Sequence, residues 1–322
     1  MTDVEGLVKA SLERRAAGSV DADLLLTRAR ARGRRHRWGR VGAVAAGLLV
    51  LAGVAGIATA VWRGVDGSSH RTGVAASLPL ADAPGAAAEP SSVGKDPIIT
   101  HFVAPGIEVT AAHYAWTSGE GYEQLEAGLN GSLVYVTIGQ NPATLDAAER
   151  QNNVGVVVRK EAVPGLWLRV QARDETLAEH VLGMVDLDRS QRIILPFQLT
   201  ARPDSSEMVE AHVGFIGDRY ASGGVIVRHS DGATMEVQAQ YARDGGRSDA
   251  ASNHTIDGRP GFLYPGLDEV ALLNIPNLDV TVRIGKGYSG FTVADADLVL
   301  AGLVVTTDVE RVTTWPQRLT AP

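Results

Sequence analysis

Apolar residues fall along the chain in three regimes. From Val41 to Trp62 there are 22 consecutive residues without a charge. An α-helix rises about 1.5 Å per residue, so this run spans about 33 Å, close to a hydrocarbon core of about 30 Å. It predicts a membrane-spanning helix over 41–62. Ahead of it, Val4, Leu7, Val8 and Leu12 follow Asp3, and Leu24, Leu25 and Leu26 follow Asp21. Each set predicts a short amphipathic helix with an acidic N-cap. Behind it, residues 63–97 have no hydrophobic period and are rich in Ala, Gly, Ser and Pro, the composition of a flexible tether.

From Ile98 onward short alternating runs take over. SLVYVTIG (132–139), VGVVVRK (154–160), LWLRVQA (166–172), GGVIVRHS (223–230), TMEVQAQY (234–241), EVALLNI (269–275) and LDVTVRIG (278–285) all predict strands. Glu175–Asp186 and Thr292–Thr306 predict helices, the second with Asp295 and Asp297 in its first turn. LDAAERQNNVGVVV (145–158) aligns with SDAASNHTIDGRPG (248–261) at an offset of 103 residues, and GMVDLD (183–188) with GLVVTT (302–307) at an offset of 119. Self-similarity between two stretches of chain is the mark of a repeat, and the change of offset marks an insertion in the second copy. The expected fold class is therefore α+β: a transmembrane helix, then two tandem antiparallel-sheet-plus-helix units over 98–205 and 206–322. The second unit is longer by the difference of the offsets, 16 residues, about one hairpin.

Charge adds a direction. Residues 1–40 hold ten Lys/Arg against five Asp/Glu, while the whole chain holds 30 against 37. The remainder, 20 against 32, is therefore −12. Arg34, Arg35, Arg37 and Arg40 flank the apolar run on its N-terminal side, and Trp38 and Trp62 bracket it at interface level. Positive charge stays inside, so the basic head of 1–40 faces the cytoplasm and the acidic body faces out, with the lipid bilayer as partner. Two other readings stand beside this one. Arg34-Arg35 with Ala58-Thr59-Ala60 also fits an export signal cleaved after Ala60. An arginine arm would also meet nucleic-acid phosphate, but lipid headgroups account for it equally well, and no nucleic-acid partner is expected. Gly42/Ala46 and Gly56/Ala60 are small-xxx-small pairs that permit homodimerisation through the helix.

Candidate chemistry is sparse. The absence of cysteine excludes disulfides, thiolate metal sites and thiol nucleophiles. No metalloprotease, hydrolase, nucleotide-binding or dinucleotide-binding motif occurs. The eight histidines show no ligand spacing. Ser92-Val-Gly-Lys95 matches an S-x-x-K pattern but lies in the tether, and GKGYSGF (285–291) reads as a glycine turn between strand and helix. No catalytic residue, metal ligand or cofactor site is expected, and an enzyme here would have to be a hydrolase without a local signature.

Residues 234–310, with GRPGFLY before a strand pair and GYSG before a helix, resemble the extracytoplasmic domains of sigma-factor regulatory membrane proteins with RseB/LolA-like folds. Alanine, glycine, valine and arginine dominate over lysine, as in actinobacteria, and the order of head, arginines, span, tether and β-rich body is similar to actinobacterial membrane proteins encoded with extracytoplasmic-function sigma factors. The His/Cys zinc signature of anti-sigma proteins is absent. The resemblance implies a membrane-anchored binding or sensor protein with a sigma factor or envelope protein as partner. A passive envelope binding module is the alternative.

Overall fold

Positive-φ residue pairs mark the tight turns, and between them the chain has little choice but to double back. Asn130-Gly131 (φ 50° and 75°) and Asp257-Gly258 (φ 46° and 77°) each supply the two left-handed positions of a two-residue hairpin. The structure, a computed structural model, describes residues 77–149, 155–242, 251–285 and 290–320. The head helices, the 41–62 span with its flanking Arg34, Arg35, Arg37, Trp38, Arg40 and Trp62, and residues 286–289 of the glycine turn lie outside the described residues. Among the described residues no helix is long and apolar enough to cross a membrane.

Two short strand pairs flank the main sheet: β1 (Ile99–Thr100) with β7 (Gln191–Arg192), and β8 (Phe197–Leu199) with β16 (Leu303–Val305). The sheet itself begins with β2 (His113–Gly119), β3 (Tyr122–Leu129), β4 (Ser132–Gly139), β5 (Val156–Val163) and β6 (Leu166–Ala172). It continues with β9 (Ser206–Ile216), β10 (Arg219–His229), β11 (Thr234–Tyr241), β12 (His254–Ile256), β13 (Arg259–Tyr264), β14 (Glu269–Leu272) and β15 (Leu278–Ile284). All twelve form one antiparallel sheet in the order β12-β13-β14-β15-β11-β10-β9-β2-β3-β4-β6-β5.

This overturns the expected pair of sheet-plus-helix units. Strand β2 pairs with β9 over seven residues, from His113↔Ile216 to Gly119↔Glu210, directly across the boundary expected at 205/206. Two separate sheets would each have left a long edge strand unpaired, and the pairing removes both edges. The body is one large sheet with short helices on it. Within that sheet the halves are wound in the same order: a three-strand meander, an excursion, a strand returning to pair with the third, and then a helix.

Four helices are seen among the described residues: α1 (Pro105–Thr110), α2 (Pro142–Glu149), α3 (Glu175–Leu182) and α4 (Val293–Ala301). Asp174 caps α3 by accepting from the Leu177 N–H, and Thr292 with Asp295 forms a capping box on α4. The helix read over 292–306 stops early, because Leu303–Val305 pairs with β8 as a strand. Part of the expected tether is also ordered on the body. Leu78, Ala86 and Val93 are buried, and the Ala86 N–H donates to the His101 carbonyl at 2.7 Å.

One face of the sheet is apolar and carries the core. Trp116 stands opposite Leu125 and Val213, and its ring meets Phe102 edge-on at 4.9 Å. Tyr114 stacks on Phe215 at 5.1 Å, and Trp315 from the C-terminal segment packs on Phe215 and Tyr220. The helix α1 lies on this face, where the Trp116 indole N–H donates to Glu108 Oε1 at 2.8 Å. So does α4, whose Asp297 meets His254 Nε2 at 2.7 Å. Replacing Trp116 by alanine should cost about 3–5 kcal/mol by urea denaturation, since it opens a cavity and leaves Glu108 buried without its donor. The exposed Val304→Ala should change stability by less than about 0.5 kcal/mol. A Trp116→Ala loss under about 1 kcal/mol would show that the indole is not a core group.

Candidate functional site

Strand alternation sends every second residue of the central strands to the opposite face, and there the residue types change. Thr117 lies between Gln124 and His212, and the row continues through Thr137 and Arg169 on one side and Gly224, Gln238 and Thr281 on the other. In a neighbouring row Gly119 lies between Tyr122 and Glu210, followed by Ile226, Glu236, Arg283 and Glu269. Glu126 and Tyr135 pair in a third row beside Gln171.

A flat polar face would be wet, but this one is not. Thr137 is 0% exposed, Arg169 1%, Glu210 1% and His212 9%. Glycines let long neighbours lie down on this face. A Cβ on Gly119 would stand 2.9 Å from the Tyr122 ring and 3.1 Å from Glu210 Oε2. One on Gly224 would stand 2.4 Å from the Val237 carbonyl oxygen and 3.0 Å from the His212 ring. At one end α2 closes the face, with the buried Leu145 against Gly139.

Hydrogen bonding on this face is incomplete. The Tyr122 hydroxyl donates to Glu210 Oε2 at 2.8 Å, while Glu210 Oε1 has no partner. Arg283 Nη1 donates to Glu236 Oε2 at 2.9 Å, while Glu236 Oε1 has none. His212 Nδ1 is likewise unpartnered. Each such buried atom costs about 1–3 kcal/mol and calls for an explanation. Burial is also the largest cause of every shift in protonation here. It pushes Glu210 up to about 8, against the Tyr122 hydrogen bond and with help from the Glu236 charge. It pushes Glu126 up to about 7 against the Tyr135 hydroxyl, raises Glu236 against Arg283, and pulls His212 down to about 4. At neutral pH Glu210 therefore holds a proton, and His212 does not.

Other titratable groups have structural work. Glu123, fully buried on the apolar side, accepts from the Gly94 N–H at 3.0 Å and from the His101 N–H, and lies 2.6 Å from His101 Nδ1. His229 pairs with Asp231, and His254 with Asp297. Among the described residues no group of three His, Asp or Glu is placed to hold a metal ion. The membrane-flanking residues singled out from sequence lie outside the described residues, so none joins this face. Glu210, Glu236 and His212 were not singled out as a site. Their signal was charged or polar residues at alternate positions inside runs that are otherwise apolar, as in Met208–Phe215.

The sign of the Glu210 shift makes a prediction. Its folded value lies above the unfolded 4.5, so the folded state holds the extra proton between about pH 4.5 and 8. Its contribution is most favourable below 4.5 and is lost as pH rises through 8. Glu210→Gln removes that dependence. The melting temperature of the variant minus that of the parent should grow by at least about 2–4 °C between pH 5 and pH 9. A difference constant with pH would show that the carboxyl titrates as if solvated.

No protein-family model matches the chain, and neither a curated protein nor a solved structure does.

Proposed function

We propose that the chain is a membrane-anchored binding and sensor protein of a bacterial envelope, with the polar face of its sheet as the ligand site. One observation carries this reading: Glu210 and His212 stand two residues apart on one strand, both buried, each with a polar atom left unpartnered. Apolar residues in those places would stabilise the sheet more. Groups kept buried, unpaired and shifted in protonation are characteristic of places where a ligand completes the pairing. The address rests on the arginines between Arg28 and Arg40, the uncharged Val41–Trp62 and the acidic remainder. Residues 1–40 then act as the docking element on the cytoplasmic side, for a partner of the sigma-factor class that the layout resembles. A cut after Ala60 would release the same body as a passive module.

Alkaline phosphatase fused after Pro322 is expected to be active and a cytoplasmic reporter there silent; the reverse pattern sinks the assignment of sides. For the ligand site, envelope extract should raise the melting temperature of the full chain and leave His212→Phe unmoved. An equal rise in both proteins would move the ligand off this face.

A further inference from the structure

We infer that the polar face binds a protonated amine between Glu210 and Glu236, above Ile226. The inference rests on the reading of this face as a ligand site and names what that site takes. Glu210 pairs with Ile226, and Ile226 with Glu236, so the three share one row and one face. The two glutamate Cα atoms are two strand spacings apart, about 10 Å, which admits one ammonium head between the carboxyl groups. The Ile226 side chain, 6% exposed, stands between them on the same face as the apolar contact for the methylene stem.

The free atoms select the ligand. Each glutamate is held by one oxygen from outside the gap, Glu210 by Tyr122 on the β3 side and Glu236 by Arg283 on the β15 side. Each keeps its Oε1 unpartnered. Carboxylates only accept, and an ammonium group only donates, through three N–H bonds. Charge points the same way. Arg283 is shared between Glu236 and Glu269, and Arg228 at the rim between Glu120 and Glu207. Four carboxylates thus surround two guanidinium groups, while protonated Glu210, Tyr122 and neutral His212 add no positive charge. An anion would be repelled, and a metal ion would lack a third ligand among the described residues. The same ammonium chemistry is offered by a free alkylamine and by a lysine side chain.

The test is calorimetric titration of the full chain with n-butylammonium, butyrate, n-butanol and a lysine-containing tripeptide blocked at both ends. Butylammonium should bind, and its affinity should rise about tenfold per pH unit from 6 to 8 as Glu210 (about 8) gives up its proton, then level off. Glu210→Gln and Glu236→Gln should each weaken it at least about tenfold with an unchanged near-ultraviolet spectrum. The pH series on the unaltered chain stands even if a variant fails to fold. Tighter binding of the tripeptide assigns the site to a lysine side chain, and tighter binding of butylammonium to a free amine; both support the inference. Binding of butanol or butyrate instead, lost in Glu210→Gln, overturns the amine and leaves the face as a ligand site. If no probe binds, the amine is overturned, while a melting-temperature rise with envelope extract that His212→Phe abolishes still keeps the face as a ligand site.

Discussion

The pairing of β2 with β9 is the constraint on which the rest depends. Its partners are 91 to 103 positions apart in the chain. Closing a loop of that length costs about 4 kcal/mol of chain entropy beyond a constant, before any contact returns it. Tyr114 on Phe215 and Trp116 beside Val213 offset that cost on the apolar side. The same register sets the polar side, placing Thr117 opposite His212 and Gly119 opposite Glu210. A slip of one residue would send Trp116 to the polar face and Glu210 into the core, so the site and the core are specified together.

Apolar packing and buried polarity are thereby divided between the two faces. The apolar face gathers Tyr114, Trp116, Phe215 and Trp315, the helices α1 and α4, and the segment around Gly94 and His101. The polar face spends some of that stability. Desolvation raises its glutamates and lowers its histidine, two shifts of opposite direction with one result: both residue types drift toward their uncharged forms. A face that is polar yet reluctant to ionise holds hydrogen-bonding capacity without the full cost of buried charge.

What was legible in the sequence follows from how local each signal was. Ser132–Gly139, Leu166–Ala172 and Thr234–Tyr241 appear as strands with the bounds that their alternation predicts, because an apolar face repeats at every second residue. β2, β3 and β9 escaped notice for a reason tied to the site. Glu126, Glu210 and His212 interrupt their apolar runs, and Gly119, Gly128 and Gly214 weaken their strand propensity. The residues that make the polar face also obscured the strands that carry it. The single sheet was not legible at all, since strand pairing across about a hundred residues leaves no local trace. Residues 77–97 misled through composition: alanine, glycine and proline suggest a loose tether, yet backbone hydrogen bonds such as Ala81 N–H to Ser190 carbonyl fasten it.

That fastening has a mechanical meaning. The chain coming from residue 77 is stitched first to Ser190–Arg192, by the Ala81 bond and by Arg192 N–H to the Pro79 carbonyl. Next it is gripped at Gly94 and His101 by the carboxyl group of Glu123. Glu123 belongs to β3, which has strands on both sides of it. A pull on the N-terminal segment therefore enters the body in the interior of the sheet rather than at an edge. The tie lies between paired strands, where β2 and β4 hold β3 on either side.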